Sequence, residues 1–396
     1  MTMESKVTDL LAQAGITVNG PKSTDIQVYD RRFYREVLAR GRLGIGESFM
    51  RGWWDVENLP RATCLVLKSN VDKKVRTAGT FGYFLRAQLT NMQRRSRALD
   101  VALRHYNAGN DLFRCMLGPT MTYSCGYWRP GVETLEQAQD AKHDLVCRRL
   151  KLEPGQRILD IGCGWGGFLK FAAENYGVFG VGVANSEEQV KLARERVRGL
   201  PVRIELKDWR DIDGKFDHVV SIGMFEHVGK KNYPKWLEMA RDRCKNERSL
   251  ILLHTIISRQ ARWLADPWFE KYIFPGGFAP AVEHIARSMW SVEGELLRPL
   301  HLHNIGPHYA LTLAAWSHNL VTHWPELEST YGPMDGMFFR MMRYYLNTMQ
   351  GAFAEGRMQL VHVVMAGESA VYFNADEDPW YEPVSDDEFG PWCLGR

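Results

Sequence analysis

Residues 157–167 read RILDIGCGWGG. A short apolar run ending in Asp160 gives way to glycines at 162, 164, 166 and 167, and a helix-like run opens at Phe168. This is the pattern of a strand, a tight loop and a helix. Glycine permits left-handed turns and lets backbone amides approach a ligand closely. The helix N-terminus behind the loop favours a negative group there. Four glycines in so short a loop are costly in chain entropy, so a ligand-free turn is the weaker reading. The spacing Asp-x-Gly-x-Gly-x-Gly departs from the G-x-G-x-x-G of dinucleotide folds.

Beyond this stretch, strand-like and helix-like runs alternate: FLKFAAENY, VFGVGVA, SEEQVKLARERV, VRIELKD, HVVSIGMF, YPKWLEMARDRC and SLILLHTII. Such alternation predicts an α/β fold, a doubly wound parallel sheet with helices on both faces. A preceding helix is expected from Thr134, where Gln137 three residues on completes a capping-box signature. After residue 257 come an aromatic insertion, DPWFEKYIFPGGF, further helices and a last strand, LVHVVMA. The expected division is an N-terminal domain over 1–71, a basic linker over 72–104, a catalytic domain over 105–367 and an acidic tail over 368–396. In the first segment DIQVYD reads as a strand and RRFYREVLARG as a helix closed by Gly41. In the linker Phe81, Tyr83, Phe84 and Leu85 are followed by Arg86, Arg94, Arg95, Arg97 and Arg104. That suits an amphipathic helix on an anionic membrane or, equally, a solvated basic face.

The composition is that of an ordinary globular protein, and a net charge of +3 over 396 residues points to no nucleic-acid partner. The N-terminus lacks a signal-peptide layout, and no apolar run spans a bilayer. Seven scattered cysteines without a C-x-x-C pair argue against a zinc site or a disulfide framework. The expected setting is cytoplasmic, with contact to the membrane from its inner surface.

In an open α/β sheet, ligands sit at the carboxyl ends of the strands. The chain places Glu226 and His227 after HVVSIGMF, His254 at the end of SLILLH, Asp208 and Trp209 after RIEL, and Ser186 and Gln189 after VFGVGVA. Each has an ordinary alternative: a histidine bonded to a backbone carbonyl, a glutamate capping a helix. Their convergence on one sheet edge favours a site. Cys125, in MTYSCGYW, and Tyr309, in NIGPHYALTL, read alone as packing residues.

Taken together, LLAQAGITVNG, LGIGESFMRGWWD, HYNAGNDLF, MTYSCGYW, RILDIGCGWGG, VSIGMFEHVG, LLHTI, DPWFEKYIFPGG and RYYLN resemble the cyclopropane-fatty-acyl-phospholipid synthases of the full-length bacterial type. The resemblance runs from about residue 10 to 367. It implies an S-adenosylmethionine-dependent methyltransferase fold with a small lipid-engaging N-terminal domain, acting as a homodimer on the cis-unsaturated acyl chains of membrane phospholipids. It implies methylene transfer through a carbocation that bound bicarbonate deprotonates. Cys125, Glu226, His254 and Tyr309, with the amide of Ile256, would hold that ion. Tyr123, Ser124, Asp160, Gly162, Gly164, Gln189 and Trp209 would hold the cofactor. Tyr272 and Phe274 would stabilise the cation, and exposed Phe49, Trp53 and Trp54 would meet the membrane, although at least one of those tryptophans suits a core.

The chain departs from the family pattern at Asn107 and Gly118, where aspartate is usual, and at Ala184, where threonine is common. Other readings are a methyl-branching or methylene-forming reaction on the same lipid, a small-molecule N-methyltransferase, and, from another class, a nicotinamide oxidoreductase or a catalytically dead lipid-binding protein. The absent acidic residue after VFGVGVA argues against nicotinamide. The complete Cys125, Glu226, His254 and Tyr309 set argues against a dead protein.

Overall fold

The glycine-loop strand is the third strand of a seven-stranded sheet in the computed structural model, which describes residues 2–75, 109–259, 266–290 and 297–367. Those residues form two compact units. One gathers 2–75, 266–276 and 309–358, and the other 109–259, 277–290, 297–308 and 359–367.

In the first unit a two-residue ladder joins β1 (Gln27–Val28) to β2 (Trp54–Asp55). The helix Arg32–Met50 bends at Gly41, whose φ of 54° only glycine adopts easily. The helix therefore continues past the expected stop and carries the GESFM run on its second half. Glu47 is buried there and accepts from Arg40 (2.7 Å), Lys271 (2.8 Å) and the Tyr272 hydroxyl (3.0 Å). Burial alone would raise its pKa, but these donors hold it down at about 2. Asp55 likewise receives Arg340 and Arg343.

The second unit holds the sheet, in the order β5-β4-β3-β6-β7-β9-β8. Its strands are β3 (Arg157–Ile161), β4 (Phe179–Ala184), β5 (Val202–Leu206), β6 (His218–Ile222), β7 (Leu250–Ser258), β8 (Leu297–Asn304) and β9 (Met358–Gly367). β3 to β7 pair in parallel, and β8 runs antiparallel to β9. Side chains alternate between two cores, as a strand's period of two requires. Leu159, Val219, Ile251 and Val363 pack under the helices Tyr233–Arg243 and Val282–Trp290. Ile158, Val220, Leu252 and Val364 pack under Leu135–Arg149, Gly167–Tyr176 and Glu187–Arg196. The sheet is thus buried on both faces, which explains its near-continuous apolar strands. The capping box at Thr134 and Gln137 forms as read from the sequence.

The contiguous division expected from the sequence needs correction. Residues 266–276 and 309–358 group with the N-terminal helices in the first unit. The helix Met337–Ala354 lies against Arg32–Met50 and Leu59–Ser69. Most of the expected linker, Asn107 and the acidic tail lie outside the described residues.

Candidate active site

Strand parity decides which side chains meet. Asp160 on β3, His254 on β7 and His362 on β9 all share the face covered by the helix Leu135–Arg149. That helix, polar in sequence, turns Gln139, Lys142 and Arg149 inward, each fully buried or nearly so. The spacing of three and seven residues puts them on one helical face.

Around the glycine loop, Gly162 has φ 87° and Gly164 φ 53°. A Cβ at Gly162 would lie 2.6 Å from Met224, so this position tolerates no side chain. Gln139 donates to the Ser124 carbonyl (2.8 Å) and Lys142 Nζ to Ser124 Oγ (3.1 Å), which fixes the YSC segment beside β3. Burial pushes the Asp160 carboxyl up to about 7, and the Lys142 charge opposes that rise. Burial pulls Lys142 down to about 7, opposed by Cys125 and Asp160. Asp160 Oδ1 is buried without a hydrogen-bond partner among the described residues. A buried carboxylate oxygen of this kind, at a loop opening a helix, fits a ligand bearing both an ammonium and a carboxylate. Ser186 caps the helix that carries Gln189. Trp209 has Arg210 over its ring at 4.4 Å.

A second cluster lies along β7. Glu226 follows β6, and its Oε1 accepts the Ile256 N–H at 2.6 Å, while Oε2 is buried without a hydrogen-bond partner among the described residues. Burial raises this carboxyl to about 7 against the lowering effect of the Ile256 amide. His254 Nδ1 meets His362 Nε2 at 2.8 Å, and Arg149 lies 2.5 Å from His362 Nδ1 and also contacts His303. Arginine only donates. His362 Nδ1 must therefore accept, its Nε2 carries the proton and donates to His254 Nδ1, and the His254 proton is left on Nε2. Burial, Lys142 and Arg149 keep His254 neutral, and burial and Arg149 do the same for His362. The network thus fixes His254 Nε2–H as a donor, buried and without a partner among the described residues. Cys125 Sγ is fully buried near the carbonyls of Gly126 and Ile305.

The structure therefore gathers Ser124, Cys125, Asp160, Gly162, Gly164, Glu226, His254 and Ile256 into the second unit, with Tyr123, Gln189 and Trp209 in that unit as well. Tyr309 falls in the first unit, its ring against Trp316 and Phe353. Tyr272 and Phe274 also belong there. The expected membrane aromatics need correction. Phe49 is fully buried between Trp54, Tyr344 and Arg340, and Trp54 is buried too. Only Trp53 is partly exposed, flanked by Arg32 and Arg51. Gly118 has φ 68° and ψ −167°, a conformation nearly confined to glycine, which accounts for its departure from aspartate. Sequence reading missed Gln139, Lys142, Arg149 and His362. The first three shared one signal, a polar stripe at helical spacing, which normally marks a solvated face, while His362 sat alone in the apolar strand run LVHVVMA.

A profile of the family described as mycolic acid cyclopropane synthetase matches residues 93–363. The chain is 43% identical to a cyclopropane-fatty-acyl-phospholipid synthase of Escherichia coli, over 90% of this chain and 92% of the relative. It is 35% identical to a probable fatty acid methyltransferase of Pseudomonas putida, over 70% and 71%. Among solved structures, the cyclopropane synthase MmaA2 from Mycobacterium tuberculosis superposes with a TM-score of 0.63 at 28% identity, covering 70% of this chain and all of that one. The mycolic acid cyclopropane synthase CmaA1, complexed with SAH and CTAB, gives 0.62 at 29% identity over 68% and 98%.

Proposed function

The chain belongs to the mycolic acid cyclopropane synthetase family, and from that membership we propose that it adds a methylene group from S-adenosylmethionine across the cis double bond of unsaturated phospholipid acyl chains. The observation that carries this reading is the pair of buried, unpartnered polar atoms at one sheet edge, Glu226 Oε2 and His254 Nε2–H. Unsatisfied buried groups are costly, and such a pair invites a small polar guest.

The target double bond lies inside a hydrocarbon layer about 30 Å thick, so the enzyme draws the chain out from the membrane surface. An alkene is a weak nucleophile, and the site must align it and exclude water. S-adenosylmethionine supplies the one-carbon electrophile. Asp160 offers its free oxygen to the ammonium of the cofactor's amino-acid end, and Trp209 offers a ring face to the adenine. Methyl transfer leaves a carbocation, and a proton must then leave the transferred carbon for the ring to close. Bicarbonate, when bound, supplies a base for that proton. Cys125, Glu226 and His254 are the groups suited to hold it, with the Ile256 amide anchoring Glu226 through its Oε1. His254 donates through the tautomer that Arg149 and His362 impose, and Glu226 accepts or shares a proton near its raised pKa.

Proton NMR of acyl chains, after incubation with cofactor and vesicles of a cis-monounsaturated phospholipid, tests the reaction. Upfield cyclopropane signals are expected, whereas new branched-methyl or vinylidene signals would replace this reading with the neighbouring C-methylations. Asp160→Asn, isosteric but uncharged, is expected to weaken cofactor binding by about 10- to 100-fold, the range for a hydrogen bond to a charged group. Calorimetric titration measures it, and unchanged affinity would remove Asp160 from the cofactor site.

A further inference from the structure

We propose that the first compact unit binds a single-chain amphiphile, a long-chain fatty acid or alcohol, in a cavity of its own. This site is separate from the reaction proposed above and does not depend on it.

The cavity measures about 210 Å³, and the described residues that line it all belong to that unit. Protein interiors pack as densely as organic crystals, and voids larger than a water molecule are few. A cavity of this size holds at least about seven groups the volume of a water molecule. Water is a poor tenant, because the walls are mostly hydrocarbon, including Leu11, Phe33, Val66 and Met349. Apolar cavities of comparable size take apolar guests.

The lining is not uniformly apolar. Arg42, Asp72, Asp266 and Arg357 all contribute to it, and they form one connected cluster. Arg42 bonds Asp72 at 2.7 Å and lies 3.6 Å from Asp266, while Arg357 lies 3.4 Å from Asp72. Arg357 also lies 3.8 Å from Glu355, so three carboxylates face two guanidiniums and the cluster calls for no anionic guest. Asp72 Oδ1 is buried and has no hydrogen-bond partner among the described residues. It needs a donor, and the neighbouring guanidiniums need no further carboxylate. A hydroxyl or an undissociated carboxyl head meets both conditions, offering O–H to Asp72 and an oxygen to arginine. A fully esterified phospholipid glycerol has no such donor. The lining therefore describes an alkyl chain with one small hydroxylic head.

The test uses the full-length protein and two photoreactive probes with the same mid-chain diazirine: a free fatty acid, and a phosphatidylcholine carrying that acyl chain in vesicles. The free acid is expected to label residues of Leu59–Ser69 and Met337–Ala354. Ala62→Phe, which fills the cavity with a ring, is expected to abolish that label. Dodecanoic acid, but not butyric acid, is expected to raise the melting temperature of the unmodified protein, as binding to the folded state requires. That measurement holds even if the variant folds poorly. Absence of label in these helices, label that survives Ala62→Phe, label from the phospholipid probe alone, or an equal response to butyric acid would each overturn the proposal. Cyclopropane formation measured on the same sample separates this outcome from failure of the proposed reaction.

Discussion

Glu226→Gln is expected to lose most of its activity and yet to gain stability relative to the parent protein as pH rises from about 4.5 to 8. Glutamine keeps an acceptor for the Ile256 N–H and stays neutral at every pH. The parent carboxyl rises from its ordinary 4.5 to about 7 on burial. A group raised in the folded state stabilises the fold below its unfolded pKa, and that contribution is lost as pH climbs through the folded value. The parent should therefore lose stability relative to the variant between about pH 4.5 and 7, by roughly 3 kcal/mol in all. Whatever constant cost the amide adds, the pH-dependent part identifies the buried carboxyl. Denaturant unfolding at pH 4.5 and pH 8 measures it. Loss of a positioned proton-transfer group should lower kcat by about 10²- to 10⁴-fold with cofactor affinity intact. A stability difference that ignores pH, or full activity in the variant, would contradict the role assigned to Glu226.

The second large effect is expected at His362, which the account places two hydrogen bonds from Arg149 to His254. His362→Leu leaves His254 Nδ1 without a donor and frees the ring to place its proton on either nitrogen. Loss of a partner that orients a functional histidine costs about 10- to 100-fold, and a wrong histidine tautomer can cost about 10⁴. His362→Gln is the discriminating variant. Its amide oxygen can accept from Arg149 and its amide nitrogen can donate to His254, so the polarity of the chain survives. Activity should be largely retained in His362→Gln and lost in His362→Leu. Nitrogen-15 NMR should show the His254 proton on Nε2 in the parent and the glutamine variant. Equal damage in both variants would reduce His362 to a packing residue.

These residues also show what a sequence does and does not disclose. The loop at Gly162 and Gly164 was legible because its signal is local, a strand period broken by glycines that the backbone needs at φ above zero. Glu226, His254 and Ser186 were legible because strand ends are visible in the alternation. The Arg149–His362–His254 chain was not, since it joins a helix to the sheet across more than a hundred residues and depends on β9 inserting between β7 and β8. Lys142 and Arg149 looked like a solvated face because charge on a helix usually is one. Phe49 and Trp54 looked like membrane aromatics because nothing nearby in the chain announces Arg340, Arg343 and Tyr344, which enclose them or the adjoining Asp55. The bend at Gly41 likewise hid one helix inside two apparent segments.

The central claim is that the transferred carbon gives up a proton as the ring closes. S-adenosylmethionine carrying a fully deuterated methyl group, supplied with cis-monounsaturated phospholipid vesicles, tests it directly. Mass spectrometry and NMR of the product acyl chains should find a cyclopropane carbon that keeps two of the three deuteriums. A branched chain that keeps all three would show that the carbocation is quenched in another way, and would contradict the account of Glu226, His254 and their guest.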